Sequence, residues 1–257
     1  MKKRITIDGG AVVYVLEHPM HERGESKKAR AAKTKATSQA QQLRNQILSI
    51  RQLELLLSAN FPTPGSGLVL CLSFDDEHLP SNRAQAQRKF KYFLQLLRKE
   101  RRASGLPDPR VIYSPEVLTS ASGRWHYHIV VDNTGNDLEM IRRCWIYGSD
   151  IECTKLRVDE EKNHETQARY MSKELREAQE YECRPGLHGW SYTRNCRKPE
   201  IDEQIVDDRK PLRAPRGATV LIQERRSTEF AEHALLKYRL PATCFSPNAR
   251  ARRRRRR

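Results

Sequence analysis

The sequence predicts an α+β fold: an antiparallel β-sheet in split βαβ order, with helices packed on one face and a further helix lying across the other. Three observations predict it. Between residues 68 and 158, strand-like runs and runs of helical period follow one another as β-α-β-β-α-β. The two middle strands, Arg110–Glu116 and Arg124–Val131, are rich in aromatic and β-branched residues and flank a Ser122–Gly123 turn signal. A last helical run, from about Asn163 to Gln179, follows the final strand with Ala168, Met171 and Leu175 as its apolar edge.

Taken in order, Ile5 to Leu16 alternates around Asp8–Gly9, which suits a hairpin. From Glu25 to Asn60 the composition turns to Ala, Gln, Lys and Arg. Leu43, Ile47, Ile50, Leu53 and Leu57 recur there at helical spacing, and the first third, Lys27 to Lys35, is almost wholly polar and basic. Phe61 to Gly67 is a Pro/Gly break, and Leu68 to Phe74 is an apolar run of buried-strand type. Ser81 or Asn82 can cap a helix reaching Arg102, with Phe90, Phe93, Leu94 and Leu97 on one face. Asp137 opens a helix to about Tyr147, Gly148 ends it, and Ile151 to Val158 is a further strand. These elements suggest four segments: a hairpin with a basic amphipathic helix (1–61), a central domain (62–200), a C-terminal extension (201–240), and a tail (241–257) of disordered composition.

The formal net charge is +16, and seven of those charges fall on Arg250 and Arg252 to Arg257, so nine remain on the body of the chain. An excess spread through body and tail favours a polyanionic partner, with nucleic acid the default. Six cysteines are scattered with no Cys-x-x-Cys pair. Cys183, His188 and Cys196 invite a zinc reading, but their spacing matches no common finger, and reduced thiols are expected. No apolar run approaches the length of a membrane span, so a soluble, cytoplasmic protein is expected.

The chemistry gathers on the two middle strands. Successive strand side chains point to opposite faces, so His126 and His128 share one face, about 7 Å apart at Cα. A turn centred on residues 120–122 sets Glu116 opposite His126. Two imidazoles and a carboxylate then converge in the outline of a divalent-metal site. Trp125 and Tyr127 project the other way, into the core. On the last helix Tyr170 and Lys173 are three apart and neighbours on one face. A phenol with an ordinary pKa of about 10 is neutral near pH 7, and an adjacent ammonium or metal-bound phosphate favours its anion. Either half alone is ordinary: paired strand histidines commonly pack, and Tyr near Lys on a helix is frequent. The combination is far more specific. Arg194, Arg197 and Lys198 form a basic cluster past this helix, readable as phosphate contacts or as a solvated loop.

In order along the chain, Val69-Leu-Cys-Leu-Ser-Phe74, Arg124-Trp-His-Tyr-His-Ile129 and Tyr170-Met-Ser-Lys173 resemble the three motifs of HUH endonucleases, with Tyr127 as the hydrophobic middle residue. Within that family the chain is most similar to rolling-circle replication initiators of phages and integrated elements, the group related to the filamentous-phage gene II protein. Lys35 to Gln41, Leu56 to Phe61 and Tyr192 to Pro199 look like that group too, so the resemblance covers roughly residues 10–200. It implies an RRM-like or ferredoxin-like palm in which His126 and His128, with Glu116 as third ligand, bind Mg²⁺ or Mn²⁺. It implies that Tyr170 attacks a phosphate of single-stranded DNA, at an origin or hairpin, with Lys173 beside it. The products are a 5′-phosphotyrosine and a free 3′-hydroxyl. Relatives with a second tyrosine carry it four residues on, where this chain has Glu174, so a single-tyrosine cycle is implied. Tyr181 lies about 16 Å along the helix, too far to alternate on one phosphate. No Walker-type Gly-Lys-Ser/Thr loop occurs, so helicase and polymerase come from the host or the element.

Two rivals stand beside this reading. A transposase or conjugative relaxase would use the same chemistry. A non-catalytic RRM-like module would instead stack bases on open-face aromatics, where this chain has histidines.

Overall fold

A computed structural model describes residues 2–7, 12–17, 39–117, 124–158, 163–172, 189–207, 209, 211–228 and 231–241. In chain order these form β1 (Lys2–Ile7), β2 (Val12–Glu17), α1 (Gln39–Asn60), β3 (Gly67–Ser73), α2 (Arg83–Ala103), β4 (Val111–Val117), β5 (Trp125–Asp132), α3 (Asp137–Cys144), β6 (Ile151–Lys155), α4 (Glu165–Ser172), β7 (Ser191–Tyr192), β8 (Ile201–Val206), β9 (Thr219–Thr228) and β10 (Ala231–Arg239). The chain is α+β, with two five-stranded antiparallel sheets and four helices among the described residues. It divides into two compact units, residues 39–159 with 164–197, and the remainder.

The first unit is built on the sheet β6-β3-β5-β4-β7. Leu68, Leu70 and Leu72 of β3 and Trp125, Tyr127 and Ile129 of β5 face α2 and α3, which close over them with Phe90, Phe93, Leu97, Met140 and Ile141. Asn82 caps α2, its side-chain oxygen accepting from the Gln85 N–H at 3.0 Å. α3 stops at Cys144, before the expected Tyr147. Trp145 leaves the helix and buries its ring, and its Nε1–H donates to the Ser73 carbonyl at 2.8 Å. That contact brings the following turn hard against β3. A Cβ added at Gly148 would lie well inside van der Waals contact of the Ser73 carbonyl oxygen. Gly148→Ala is therefore expected to lose about 1–3 kcal/mol of stability, read as a lower denaturant midpoint at unchanged m-value.

The far face of this sheet is covered by two helices, not by α4 alone. Ile50, Leu53 and Leu57 of α1 pack with Ala168 and Met171 of α4 against Ile112 and Val130. This corrects the grouping of α1 with the hairpin. An apolar helical stripe must find a surface to cover, and the apolar residues on the second face of β4 and β5 supply one. His164 Nε2 and the Phe61 carbonyl, 2.9 Å apart, tie the start of α4 to the end of α1. The basic run Lys27–Lys35 lies outside the described residues.

One end of β5 is fixed by a buried ion cluster. Arg101, fully buried on α2, donates from Nη1 to Asp132 Oδ1 at 3.0 Å, and from Nη2 to the Asp132 carbonyl at 2.7 Å and Asp137 Oδ1 at 2.5 Å. The Arg110 N–H donates to Asp132 as well, at 2.8 Å. Three segments, α2, β5 and the start of α3, meet on one guanidinium.

The second unit is the sheet β8-β1-β2-β10-β9, antiparallel throughout. Val13 and Val15 pack with Leu212, Ala234, Leu236 and Tyr238. The segment 201–240 is therefore not a separate extension. An isolated two-stranded hairpin is at best marginally stable, and the 2–17 hairpin completes its sheet with β8 and β10. The Arg-rich tail lies outside the described residues. Among the described residues no helix is long and apolar enough to cross a membrane.

Candidate metal centre and tyrosine

The alternation of β5 sends Trp125, Tyr127 and Ile129 into the α2/α3 core and leaves His126 and His128 on the opposite face, 8 % and 4 % exposed. Antiparallel register then builds two rows across the sheet. One runs Ser73, His126, Glu116; the other runs Glu152, Cys71, His128, Ser114. The two imidazole planes stand almost perpendicular, at 89°, with centroids 5.0 Å apart. His126 Nε2 lies 2.5 Å from Glu116 Oε2, and His128 Nε2 contacts the same oxygen. Both rings thus aim one nitrogen at a single point between them.

Electrostatics follow from that convergence. Burial pushes the Glu116 carboxyl up, but hydrogen bonds to His126 and His128 and the charge on those rings outweigh it, leaving the group at about 2. Glu116 is thus a carboxylate at any pH near neutrality, and a nitrogen, nitrogen, oxygen donor set is in place for a divalent cation. A further donor stands beside it. Ligand atoms of Cys71, His126 and His128 all lie within 4.8 Å of one another. Burial, then the charges of Glu152 and Glu116, raise the Cys71 thiol to about 12.

α4 brings the phenol. Ala168, Met171 and Ser172 point inward, while Arg169 and Tyr170 face out, Arg169 held by Glu165 at 2.7 Å. Tyr170 is 50 % exposed, yet its ring packs edge-on against His128 with centroids 4.9 Å apart. Its hydroxyl pKa is raised by partial burial, then by the negative charges of Glu116 and Glu152. A cation at the histidines would act on the same phenol with the opposite sign.

His126, His128, Glu116 and Tyr170 therefore come together. Lys173 lies outside the described residues, as do Tyr181, Cys183 and His188. Arg194 and Arg197 are exposed on the loop after β7, and the structure does not bring them to the histidines. That loop is pinned to the start of β4, where the Thr193 N–H donates to the Val111 carbonyl at 2.9 Å and Asn60 bonds both backbone groups of Arg197. Five strand residues, about 17 Å, separate Val111 from Glu116. Lys198, also exposed, falls in the other unit. Cys71 and Glu152 are the additions that the sequence reading missed; both lie on the histidine face only once the register of β3 with β5 and β6 is fixed.

Comparison with family models, with curated proteins and with solved structures gave no match.

Proposed function

We propose that this chain nicks and rejoins single-stranded DNA through Tyr170, and so initiates rolling-circle replication of a phage, plasmid or integrated element in the bacterial cytoplasm. The observation that carries the reading is a half-exposed phenol packed on His128 beside a buried His/His/Glu cluster. The fold supports it. Strand order β6-β3-β5-β4, with α2 and α3 as the two crossovers on one face, fits the split βαβ palm of the HUH endonucleases that the motifs resemble. α4 lies on the other face with the histidines.

His126, His128 and Glu116 would hold Mg²⁺ or Mn²⁺, which when bound supplies Lewis-acid polarisation of a phosphate oxygen and orients it. Tyr170 Oη forms the new bond to phosphorus as the bond from phosphorus to the 3′ oxygen breaks. A phenol of ordinary pKa near about 10 is protonated at neutral pH, and Tyr170 passes that proton to solvent as its oxygen bonds to phosphorus. The 3′ oxygen gains a proton and leaves as the hydroxyl that primes synthesis, with Lys173 assigned beside it by resemblance. A later attack by a 3′-hydroxyl on the phosphotyrosine restores the phosphodiester. Exposed Arg194, Arg197 and Lys198 would grip the backbone away from the reacting bond, giving affinity without sequence information. The DNA partner is a single-stranded origin or hairpin, and helicase and polymerase are supplied separately.

The test is covalent capture. With Mn²⁺ and an oligonucleotide spanning the element's origin, the wild type is expected to form a DNA adduct stable to denaturing electrophoresis. Tyr170→Phe is expected to form none. An adduct in the Phe variant removes Tyr170 as nucleophile. Single-strand binding with no adduct in the wild type leaves only a nucleic-acid-binding module.

A further inference from the structure

We propose that Cys71 is a thiolate ligand of the His126/His128 centre, so that the sheet also offers a closed four-donor site for Zn²⁺ made of Cys71, His126, His128 and Glu116. The site itself is argued from geometry and donor chemistry. Only its regulatory consequence rests on the nicking activity proposed above.

The first support is the way the donors are held. Cys71 stands directly across from His128, and Glu116 directly across from His126, on adjacent strands of one sheet. Directly opposed residues on one face have Cβ atoms about 4.5–5.5 Å apart, so the cluster is fixed by backbone register rather than by a chance rotamer. The ligand atoms of Cys71, His126 and His128 lie within 4.8 Å of one another, and Glu116 Oε2 lies 2.5 Å from His126 Nε2. Bond lengths of about 2.3 Å to sulfur and 2.0 Å to nitrogen separate donors around a tetrahedral zinc by roughly 3.3–3.8 Å. Glu116 Oε2 lies closer than this to both imidazole nitrogens, so the ion takes the place between them as the carboxylate swings outward by about 1 Å, and the Cys71 sulfur closes in from the opposite strand.

The second support is donor softness. Carboxylate and imidazole serve Mg²⁺ or Mn²⁺, whereas a thiolate adds nothing for those ions and much for zinc. Binding forms a Zn–S bond and releases the thiol proton to solvent, with no change in oxidation state. The chemical consequence is specific. Catalytic metal sites keep a position open for water or substrate, and four protein donors close it. A hard ion on His126, His128 and Glu116 leaves room for a phosphate oxygen; zinc drawn onto Cys71 does not. Zinc is therefore an inhibitor of this centre, and Cys71 is the residue that makes it one.

The experiment uses the full chain, stripped of metal by chelation, without DNA. Co²⁺ serves as the spectroscopic stand-in for Zn²⁺. The wild type is expected to show a near-ultraviolet thiolate-to-cobalt charge-transfer band with intense tetrahedral ligand-field bands, all discharged by one equivalent of Zn²⁺. Cys71→Ser is expected to lose the charge-transfer band and to bind Zn²⁺ about a hundredfold more weakly. Cys183→Ser keeps both, which separates this site from a Cys183/His188/Cys196 cluster. Should Cys71→Ser fold poorly by circular dichroism, Cys71→Ala answers the same question. No thiolate band in the wild type, a band retained without Cys71, or a band lost with Cys183 overturns the proposal. Adduct formation with Mn²⁺ and no thiolate band sinks this inference alone. A thiolate band in a chain that never cleaves DNA sinks the nicking reading and the inhibition, and leaves the zinc site standing.

Discussion

Replacing His126 by alanine is expected to lower Mn²⁺-dependent cleavage at least about a thousandfold while leaving single-strand affinity within about threefold. A Lewis acid on a phosphate oxygen contributes several kcal/mol to the transition state, and each 1.4 kcal/mol is about tenfold in rate. His126 is nearly buried and shares Glu116 with His128, so its loss removes one nitrogen donor and half of what orients the carboxylate. No outer residue of the same row replaces it, since Ser73 is its neighbour on β3. Backbone affinity comes from lysine and arginine charge, which the substitution leaves alone. Single-turnover cleavage of an origin oligonucleotide, paired with metal-free fluorescence anisotropy, separates the two effects. Cleavage near the wild-type rate removes His126 from the reaction.

The largest effect on stability is expected at Arg101. Its guanidinium is fully buried and binds Asp132 and Asp137, whose side chains are 8 % and 0 % exposed. Arg101→Ala leaves both carboxylates buried, Asp132 with only the more distant Arg110 Nε at 3.7 Å, and breaking a buried pair in this way costs about 3–5 kcal/mol. The gain from the intact cluster is much smaller, because three charges lost their water on folding. A triple variant, Arg101→Met with Asp132→Asn and Asp137→Asn, is therefore expected to recover most of the loss. Urea unfolding of both variants checks the pair of predictions. An Arg101→Ala protein as stable as the wild type, or a triple variant no better than Arg101→Ala, would contradict this account.

What could be read from residues alone depended on whether a pattern was local. Alternation along Trp125-His-Tyr-His-Ile129 fixes which face each side chain takes, and a short connection fixes that Glu116 stands across from His126. Both properties belong to one hairpin. Cys71 was not legible, because Leu68 to Phe74 is apolar enough to read as buried on both faces. Which of its residues faces the histidines depends on pairing across a 30-residue crossover or more, where a slip of one position inverts the answer. The second sheet was hidden for another reason. Ile201-Asp-Glu-Gln-Ile-Val206 is exposed almost throughout and carries charge, so nothing in it looks like a strand until Lys2 to Ile7 lies alongside. α1 was legible as an amphipathic helix, but a stripe of leucines does not say which surface it will cover.

The pairing of β1 with β8 and of β2 with β10 sets a schedule for biosynthesis. At about 5–20 residues per second, the stretch between Glu17 and Ile201 takes on the order of ten to forty seconds to leave the ribosome. Throughout that interval residues 2–17 have neither flanking strand, and their backbone groups, bonded only to water or to each other, are open to any passing strand. Expression yield should consequently respond to translation rate and to chaperone supply.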